Sequence, residues 1–276
     1  MPAHPPTAEI LAIGNELLLG EVVDTNTAWL CRFFTGLGGK VQRAVVLPDE
    51  VEAIAAELQG ALRRAPALVF TTGGLGPTED DRTLAAVAMA TGRPLEEHPE
   101  ALRMVAARYR ELAAAGFVAE PDLTPPRRKM AMLPRGAIPL DNPVGAAPGV
   151  LLPLERTLLV CLPGVPEEMK AIVQSSLAPH LQARLGRAGF AELRLLTDCG
   201  DESRLAPLLG EVGRAFPHVY IKSRARAFGP QVRIQIYLSA AAPTPEEAQA
   251  LVEEAARHLE GRLAEAGVSA ERVPAM

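Results

Sequence analysis

The stretch ALVFTTGGLGPTEDDRT (67–83) decides the fold, because it joins a short apolar run to a glycine-rich loop and then to a helix. Residues 67–72 predict a buried strand, and residues 82–91 predict the helix. Loops that follow the carboxyl end of a strand in this way form the ligand sites of α/β proteins. The loop over 73–81 is therefore the first candidate site.

The residues before this stretch alternate between strand and helix patterns. The predicted elements are a strand over 9–14, a helix over 26–37, a strand over 40–47 and a helix from Val51. Asp49 and Glu52 have the spacing of a capping box at the start of that second helix. The alternation with short connections predicts an α/β fold, with a parallel-rich sheet and helices on both faces.

Beyond the loop the chain carries further helices and a pair of strands. One helix covers 99–115, and the proline-rich stretch 119–128 is predicted to be irregular. The apolar runs GVLLPL (149–154) and TLLVCLPG (157–164) predict two paired strands. A helix then opens at Pro166, and we expect Pro179 to interrupt or end it.

The order of predicted strands and helices changes near residue 187. We therefore predict one domain over 7–186 and a second over 187–276. The second domain has five predicted elements: strand 192–197, helix 201–215, strand 218–224, strand 231–239 and helix 245–266. Thr244 and Glu247 form a capping box at the last helix. This order predicts a small α+β domain.

Composition excludes several classes of protein. The 276 residues carry 28 Lys and Arg against 33 Asp and Glu, a net charge of −5 that argues against binding nucleic acid. The three cysteines are far apart and give no disulfide framework or cysteine-rich zinc site. There is no apolar run of membrane-spanning length and no secretory signal, so a cytoplasmic protein is expected.

The loop combines glycines with carboxylates, and both can contribute to one anion site only if a cation is bound there too. Gly73, Gly74 and Gly76 allow backbone amides to approach an anion such as phosphate. Asp80 and Asp81 follow directly, and carboxylates repel phosphates unless a cation lies between them. Mg²⁺ is held in that way, by one or two carboxylates and by phosphate oxygens. The alternative is structural, with the acids capping the next helix.

Three other stretches are candidates. In GNELLLGEVVDTN (14–26), Glu16 leaves the first strand at the same sheet edge, whereas Thr25 or Asn26 has the character of a helix N-cap. Residues 127–149 supply the positive charge of Lys129 and two tight turns, NPVG and APG, which suit either nucleotide contact or a hairpin. In LPGVPEEM (162–169), the two glutamates are explained by the helix dipole.

Together these motifs resemble a known family. GNELLLG, DTN, TTGGLGPTEDDRT, NPVGAAPG and LPGVPEEM, in this order over about residues 8–170, are similar to the amino-terminal half of CinA (competence/damage-inducible) proteins. That half resembles molybdopterin-binding domains of the MogA and MoeA type, and the remainder resembles the KH-like domain that follows it. The resemblance implies that a carboxy-terminal nicotinamide-nucleotide amidase domain, common in the family, is lacking here.

The resemblance implies a metal-dependent pyrophosphatase that converts ADP-ribose to AMP and ribose 5-phosphate. Under that activity we assign the divalent ion to Asp80, Asp81 and Glu16, with Glu16 also a candidate general base. Lys129 would stabilise charge on the bridging oxygen. The substrate contacts would come from Gly73, Gly74, Gly76, Thr78, Asn26, Asn142 and Gly145. The alternatives are cleavage of FAD and binding of molybdopterin or another pterin phosphate without hydrolysis.

The remaining expectations concern partners and ions. The ligand is a small nucleotide, with no nucleic acid and no membrane involved, and the residues leave the metal's identity and any monovalent cation open. Relatives of this kind self-associate, so a homo-oligomer such as a dimer is expected, with Trp29 or the basic hairpin 218–240 as candidate contacts. That hairpin carries Lys222, Arg224, Arg226 and Arg233 and no acid. It suits a solvated strand face, an anion clamp or a subunit contact.

Overall fold

The computed structural model describes residues 5–185, 189–225 and 233–274, with side chains left out over 182–185. The chain divides into two compact units. One comprises Pro6–Arg32 and Lys40–Gly186, and the other comprises Arg187–Met276 together with Phe33–Gly39 and Met1–Pro5. The domain boundary between 186 and 187 lies outside the described residues and stays a prediction.

The first unit contains a mixed sheet of six strands and a separate pair. Its strands are β1 (Thr7–Ile13), β2 (Lys40–Leu47), β3 (Leu68–Thr72), β4 (Leu95–Glu97), β5 (Met132–Pro134), β6 (Ile138–Leu140), β7 (Gly149–Pro153) and β8 (Leu158–Leu162). The six-stranded order is β2-β1-β3-β8-β7-β6, and β4 pairs with β5. The pairs among β2, β1, β3 and β8 are parallel, and β7 is antiparallel to both of its neighbours.

The helices up to residue 185 follow the strands in the alternation that the sequence predicts. They are α1 (Asn15–Leu18), α2 (Thr25–Gly36), α3 (Val51–Arg64), α4 (Thr83–Thr91), α5 (Pro99–Ala114), α6 (Pro125–Lys129), α7 (Pro166–Ile172) and α8 (Ala178–Leu185). Strands β3 and β8 are buried at every residue, as a sheet covered on both faces requires. The predicted α/β class with a parallel-rich sheet is confirmed.

One buried charge sits inside this sheet. Glu9 in β1 is 0 % exposed, and Arg64 at the end of α3 donates to both of its oxygens at 2.8 and 2.7 Å. Gln42 Nε2 donates to Glu9 Oε1 at 3.0 Å. Burial by itself raises the pKa of the Glu9 carboxyl, but the hydrogen bonds from Arg64 and Gln42 outweigh it and lower the pKa below its ordinary value of 4.5.

Three local expectations are wrong. Pro179 does not end the helix that opens at Pro166, because helical structure continues without a break from Pro166 through α8. The α-helical pattern instead changes to a π-helical turn over Val173–Leu177. The stretch 119–128 is not irregular throughout, since α6 begins at Pro125. Asp49 does not cap α3, whose N-cap is Glu50, and its carboxylate binds Asn15 instead.

The second unit is a small α+β fold, as predicted. It contains β9 (Gly189–Thr197), α9 (Glu202–Ala215), β10 (Tyr220–Ala225), β11 (Ile234–Ala242), α10 (Pro245–Glu265) and β12 (Ala270–Val273). The strands form an antiparallel sheet in the order β10-β11-β9-β12, which with this element sequence is a split β-α-β-β-α-β unit. Thr244 caps α10 by accepting from Glu247 N, as predicted. The KH likeness stays a prediction.

Among the helices that the structure describes, none combines the length and the apolar character that crossing a bilayer requires.

Candidate functional site

The site lies where parallel strands of the first unit end. Ala12, Thr72 and Leu162 are register partners across β1, β3 and β8, so the loops that follow these strands leave the sheet side by side. Between these loops lies a cavity of about 620 Å³, which we call the acidic cavity. That volume is in the range of small-molecule sites. The place matches the sheet edge that the sequence predicts.

The glycine-rich loop forms one wall of the acidic cavity. Gly73 has φ of +101°, and a β-carbon there would lie 3.2 Å from the carbonyl carbon of Ile13 and closer still to its oxygen. Gly74 also has positive φ, at +68°. Among the described residues, the amides of Gly74, Leu75 and Gly76 have no hydrogen-bond acceptor. Glycine therefore lets the loop press against β1 while leaving amides available to an anion.

The end of this loop is fixed by Asp81 and Lys129. Asp81 Oδ2 accepts from the backbone amide of Thr78 at 2.8 Å and from its hydroxyl at 2.6 Å. Lys129 Nζ donates to the carbonyl oxygens of Thr78 and Asp81, the latter at 2.8 Å. Lys129 and Thr78 thus hold the loop, and neither lines the acidic cavity. Their assigned roles toward a substrate stay predictions.

The charged side chains that line the acidic cavity are carboxylates. Its lining includes the carboxylates of Glu16, Asp49, Asp80, Asp81 and Glu168. Among the residues described there, none is Lys, Arg or His. Such a cavity repels an anionic ligand unless a cation neutralises the carboxylates, because like charges in a partly enclosed site interact strongly.

Two of these carboxylates are held by neighbouring loops. Asp49 Oδ2 accepts from the backbone amide of Asn15 at 2.8 Å, and Asn15 Oδ1 accepts from the amide of Asp49 at 3.4 Å. This exchange ties the loop after β2 to the start of α1. Glu16 folds back over Gly14, where a β-carbon would collide with its carboxylate. The first strand and its neighbour thereby present both acids to the same cavity.

Glu168 is positioned by Asn142. Asn142 Nδ2 donates to Glu168 Oε2 at 2.7 Å and to the carbonyl oxygen of Ala147 at 2.8 Å. Its Oδ1 accepts from the amides of Val144 and Gly145. The side-chain amide of Asn142 is therefore fully used inside the protein. The structure gives it a role in holding the loop, and ligand contact by Asn142 stays a prediction.

Asn26 is also turned inward. It is buried, and its Nδ2 donates to the carbonyl oxygen of Gly164 at 2.7 Å. Neither Asn26 nor Thr25 is the N-cap of α2, since Asp24 Oδ1 accepts from Thr27 N. Asn26 Oδ1 is buried and has no partner among the described residues. Asn26 thus supports the loop after β8, a lining segment of the acidic cavity.

The predicted site residues divide into two groups. The structure brings Gly73, Gly74, Gly76, Glu16, Asp80 and Asp81 into the lining of the acidic cavity. Thr78, Lys129, Asn26, Asn142 and Gly145 do not line it, and Gly145 lines a neighbouring cavity.

Sequence reasoning missed Asp49 and Glu168. In the sequence, Asp49 is explained as a helix cap and Glu168 as an acid that interacts favourably with a helix dipole. The available signal was position. Asp49 lies between β2 and α3, and Glu168 lies in the first turn of α7 shortly after β8, so both follow a parallel strand at the sheet edge where Glu16 and the glycine loop also lie.

The donors of the acidic cavity fit a hard divalent cation only in part. Carboxylate oxygens are the ligands of Mg²⁺, and five carboxylates line the cavity. However, within the described parts of the chain no three His, Cys, Asp or Glu side chains are grouped closely enough to hold a metal by themselves. A site of this kind suits an ion that takes one or two carboxylates and completes its shell with ligand phosphate and water oxygens.

The basic hairpin of the second unit is partly paired. Arg224 lies over the ring of Tyr237 at 5.4 Å, and Arg233 forms an ion pair of 3.4 Å with Glu271. Arg226 lies outside the described residues. The pairing of Arg233 with Glu271 favours the solvated strand face among the three interpretations of this hairpin.

Comparison with known proteins identifies the class. Residues 9–183 match the family described as "Probable molybdopterin binding domain". Proteins of Pyrobaculum calidifontis and Aeropyrum pernix are 45% and 46% identical over 258 and 248 residues. These matches cover 92% and 89% of this chain and 94% and 89% of the two relatives. The chain belongs to this molybdopterin-binding-domain family.

Within this family the chain is CinA-like. It is similar to a crystal structure of the protein CinA from Thermoplasma acidophilum, described as having unknown function. The two are 37% identical with a TM-score of 0.56, and the match covers 62% of this chain and 95% of that one. The resemblance drawn from the sequence motifs is confirmed.

Proposed function

We propose that this protein hydrolyses nucleoside diphosphate-linked substrates in a reaction that depends on a divalent cation, with ADP-ribose as the preferred substrate class. The observation that carries the proposal is the acidic cavity. Among the residues that the structure describes, loop amides without an acceptor lie beside five carboxylates and no basic side chain. Backbone amides donate hydrogen bonds to an anion, whereas the carboxylates repel that anion unless a cation is bound with it. A diphosphate with its metal satisfies both.

The residues of the acidic cavity suit the steps of this hydrolysis. The amides of Gly74, Leu75 and Gly76 would donate to phosphate oxygens and hold the diphosphate. Asp80, Asp81 and Glu16 would hold Mg²⁺ or another divalent ion, which supplies positive charge against the charge building on the phosphoryl group. Because Asp81 already accepts from Thr78, its carboxylate is pre-oriented.

Bond changes in the proposed reaction balance without any further reagent. A water oxygen attacks one phosphorus while the bond from that phosphorus to the bridging oxygen breaks. Glu16, Asp49 or Glu168 would accept the proton of the water, and the released phosphate oxygen carries the negative charge away. The products from ADP-ribose are AMP and ribose 5-phosphate.

The experiment compares two neighbouring acids of the same loop. Asp80 lines the acidic cavity, whereas Glu79 is exposed and does not line it. We expect Asp80→Asn to lower the rate of AMP release from ADP-ribose by about a hundredfold or more, with Glu79→Gln near the wild-type rate. Release of AMP is measured with Mg²⁺, Mn²⁺ and other divalent ions, in K⁺ and in Na⁺, over ADP-ribose, FAD, NAD and dinucleoside polyphosphates.

A second candidate function uses the same loop without hydrolysis. The family match favours binding of molybdopterin or a related pterin phosphate, because the matched residues 9–183 include the whole glycine loop. If no dinucleotide is cleaved with any of the ions and molybdopterin binds, this second function replaces the first. FAD cleavage without ADP-ribose cleavage would instead change only the substrate.

Self-association is part of the proposal. Leu19 and Val23, in the segment between α1 and α2, are 72% and 80% exposed, and such apolar side chains favour contact with another chain. We expect a dimer in light scattering after size-exclusion chromatography. A monomer at micromolar concentration would contradict it.

A further inference from the structure

A second cavity of about 600 Å³ lies beside the acidic cavity in the same unit, and we call it the arginine cavity. Helix α5 supplies Arg103, Arg108 and Arg110 to its lining, and the loop that contains Asn142 and Gly145 supplies the opposite wall. Neither the family match nor the proposed hydrolysis assigns a role to these arginines.

The arginines are only lightly engaged. Arg103 pairs with Glu100 and Arg108 pairs with Glu111, each three residues away on α5. The exposed pair of Arg103 contributes little, so a bound anion can displace it. Arg110 has no ion pair or hydrogen bond among the described residues.

Arg108 is the best placed of the three. Its Nη2 donates to the carbonyl oxygen of Val144 and its Nη1 donates to Glu111 at 2.8 Å, which orients the guanidinium against the loop. Its Nε is buried without a partner in the described part of the chain. Two of its five N–H donors are therefore used and the buried Nε–H is out of reach, which leaves one N–H on each of Nη1 and Nη2. Two such N–H groups on one guanidinium can bind phosphate or carboxylate by paired hydrogen bonds.

The two cavities share a wall. Ala146 lines both of them, and Asn142, which lines the arginine cavity, holds Glu168 of the acidic cavity. One cavity thus has carboxylates and no basic side chain among its described residues, while its neighbour has three arginines against three acids. From this we infer that the arginine cavity binds an anionic group, a phosphate or carboxylate of a small molecule, next to the acidic cavity and without help from a metal.

The test separates this site from the acidic cavity by removing divalent ions. Ribose 5-phosphate and inorganic phosphate are titrated calorimetrically into the full chain in EDTA. We expect binding whose Kd rises about tenfold in Arg108→Gln and about fivefold in Arg110→Gln. Arg63→Gln, which changes an exposed arginine of α3, should leave the Kd unchanged. Circular dichroism verifies folding, and Arg110→Gln keeps the test valid if Arg108→Gln loses the Val144 contact and unfolds.

Absence of binding by both probes, or a Kd that neither arginine variant changes, would overturn the inference. This titration measures binding and not hydrolysis. Its result therefore holds whether or not the protein hydrolyses ADP-ribose.

A further titration assigns the source of the anionic group. If it belongs to the substrate, ADP-ribose bearing a 2′-phosphate binds more tightly than ADP-ribose in Mg²⁺, and Arg110→Gln removes the difference. If it belongs to a separate effector, inorganic phosphate still binds protein saturated with ADP-ribose. Either result supports the arginine cavity as an anion site.

Discussion

Replacing Gly73 by alanine tests whether the glycine loop needs its close approach to β1. Gly73 has φ of +101°, a conformation that costs an alanine about 1–3 kcal/mol. The added β-carbon would also overlap the carbonyl oxygen of Ile13 and lie 3.2 Å from its carbonyl carbon. Overpacking of this kind costs about 1–3 kcal/mol. Since backbone cannot swing aside as a side chain does, we expect both costs, about 2–6 kcal/mol in total.

Gly92 provides the matched control. It also has positive φ, at +66°, but a β-carbon there would have nothing within 4 Å. Gly92→Ala should therefore cost only the conformational part, about 1 kcal/mol. The difference between the two variants contains the contact with Ile13 together with the extra backbone cost of φ +101° over φ +66°.

The assay is urea unfolding followed by fluorescence of Trp29, the single tryptophan, which lies in α2 within Pro6–Arg32 of the first unit. We expect the midpoint to fall further in Gly73→Ala than in Gly92→Ala, with the same dependence on urea concentration. Equal destabilisation in the two variants would refute the reasoning that the loop is pressed against β1.

Three further predictions follow from other contacts. Glu9→Gln should lower the free energy of unfolding by about 1–3 kcal/mol at pH 7, because Arg64 loses a charged partner. The pKa of Glu9 in the folded protein lies below 4.5, so its contribution to stability is present above pH 4.5 and is lost as the pH falls through the folded pKa. The difference in unfolding free energy between Glu9→Gln and wild type should therefore shrink in acid, and a constant difference would contradict this. Burial raises the pKa of the Cys161 thiol to about 12, so iodoacetamide at pH 8 should label it only in urea, and labelling of folded protein would refute its burial. Asn142→Asp should cost about 2–4 kcal/mol, because two donated hydrogen bonds become a repulsion with Glu168; unchanged stability would show that the loop does not depend on them.

Local patterns in the sequence were sufficient for most of the fold. Strands β1, β2 and β3 and helices α3, α4 and α5 have clear apolar periods, and their predicted bounds differ from the observed ones by a residue or two. The strands β4, β5 and β6 were not predicted, because three residues are too few to show a period. Pro179 was misinterpreted because proline usually breaks a helix in its interior, whereas here helical structure continues past it by way of the π-helical turn over Val173–Leu177.

The sequence by itself determined that a glycine loop and an acid pair follow a buried strand, since these features are neighbours along the chain. Only the tertiary structure decided which acids share the cavity. Asp49 and Glu168 lie far apart in the sequence and meet because parallel strands end at one edge of the sheet. It also decided which polar side chains turn inward, as Asn142 and Lys129 do, because the direction of a side chain depends on partners that no local pattern records.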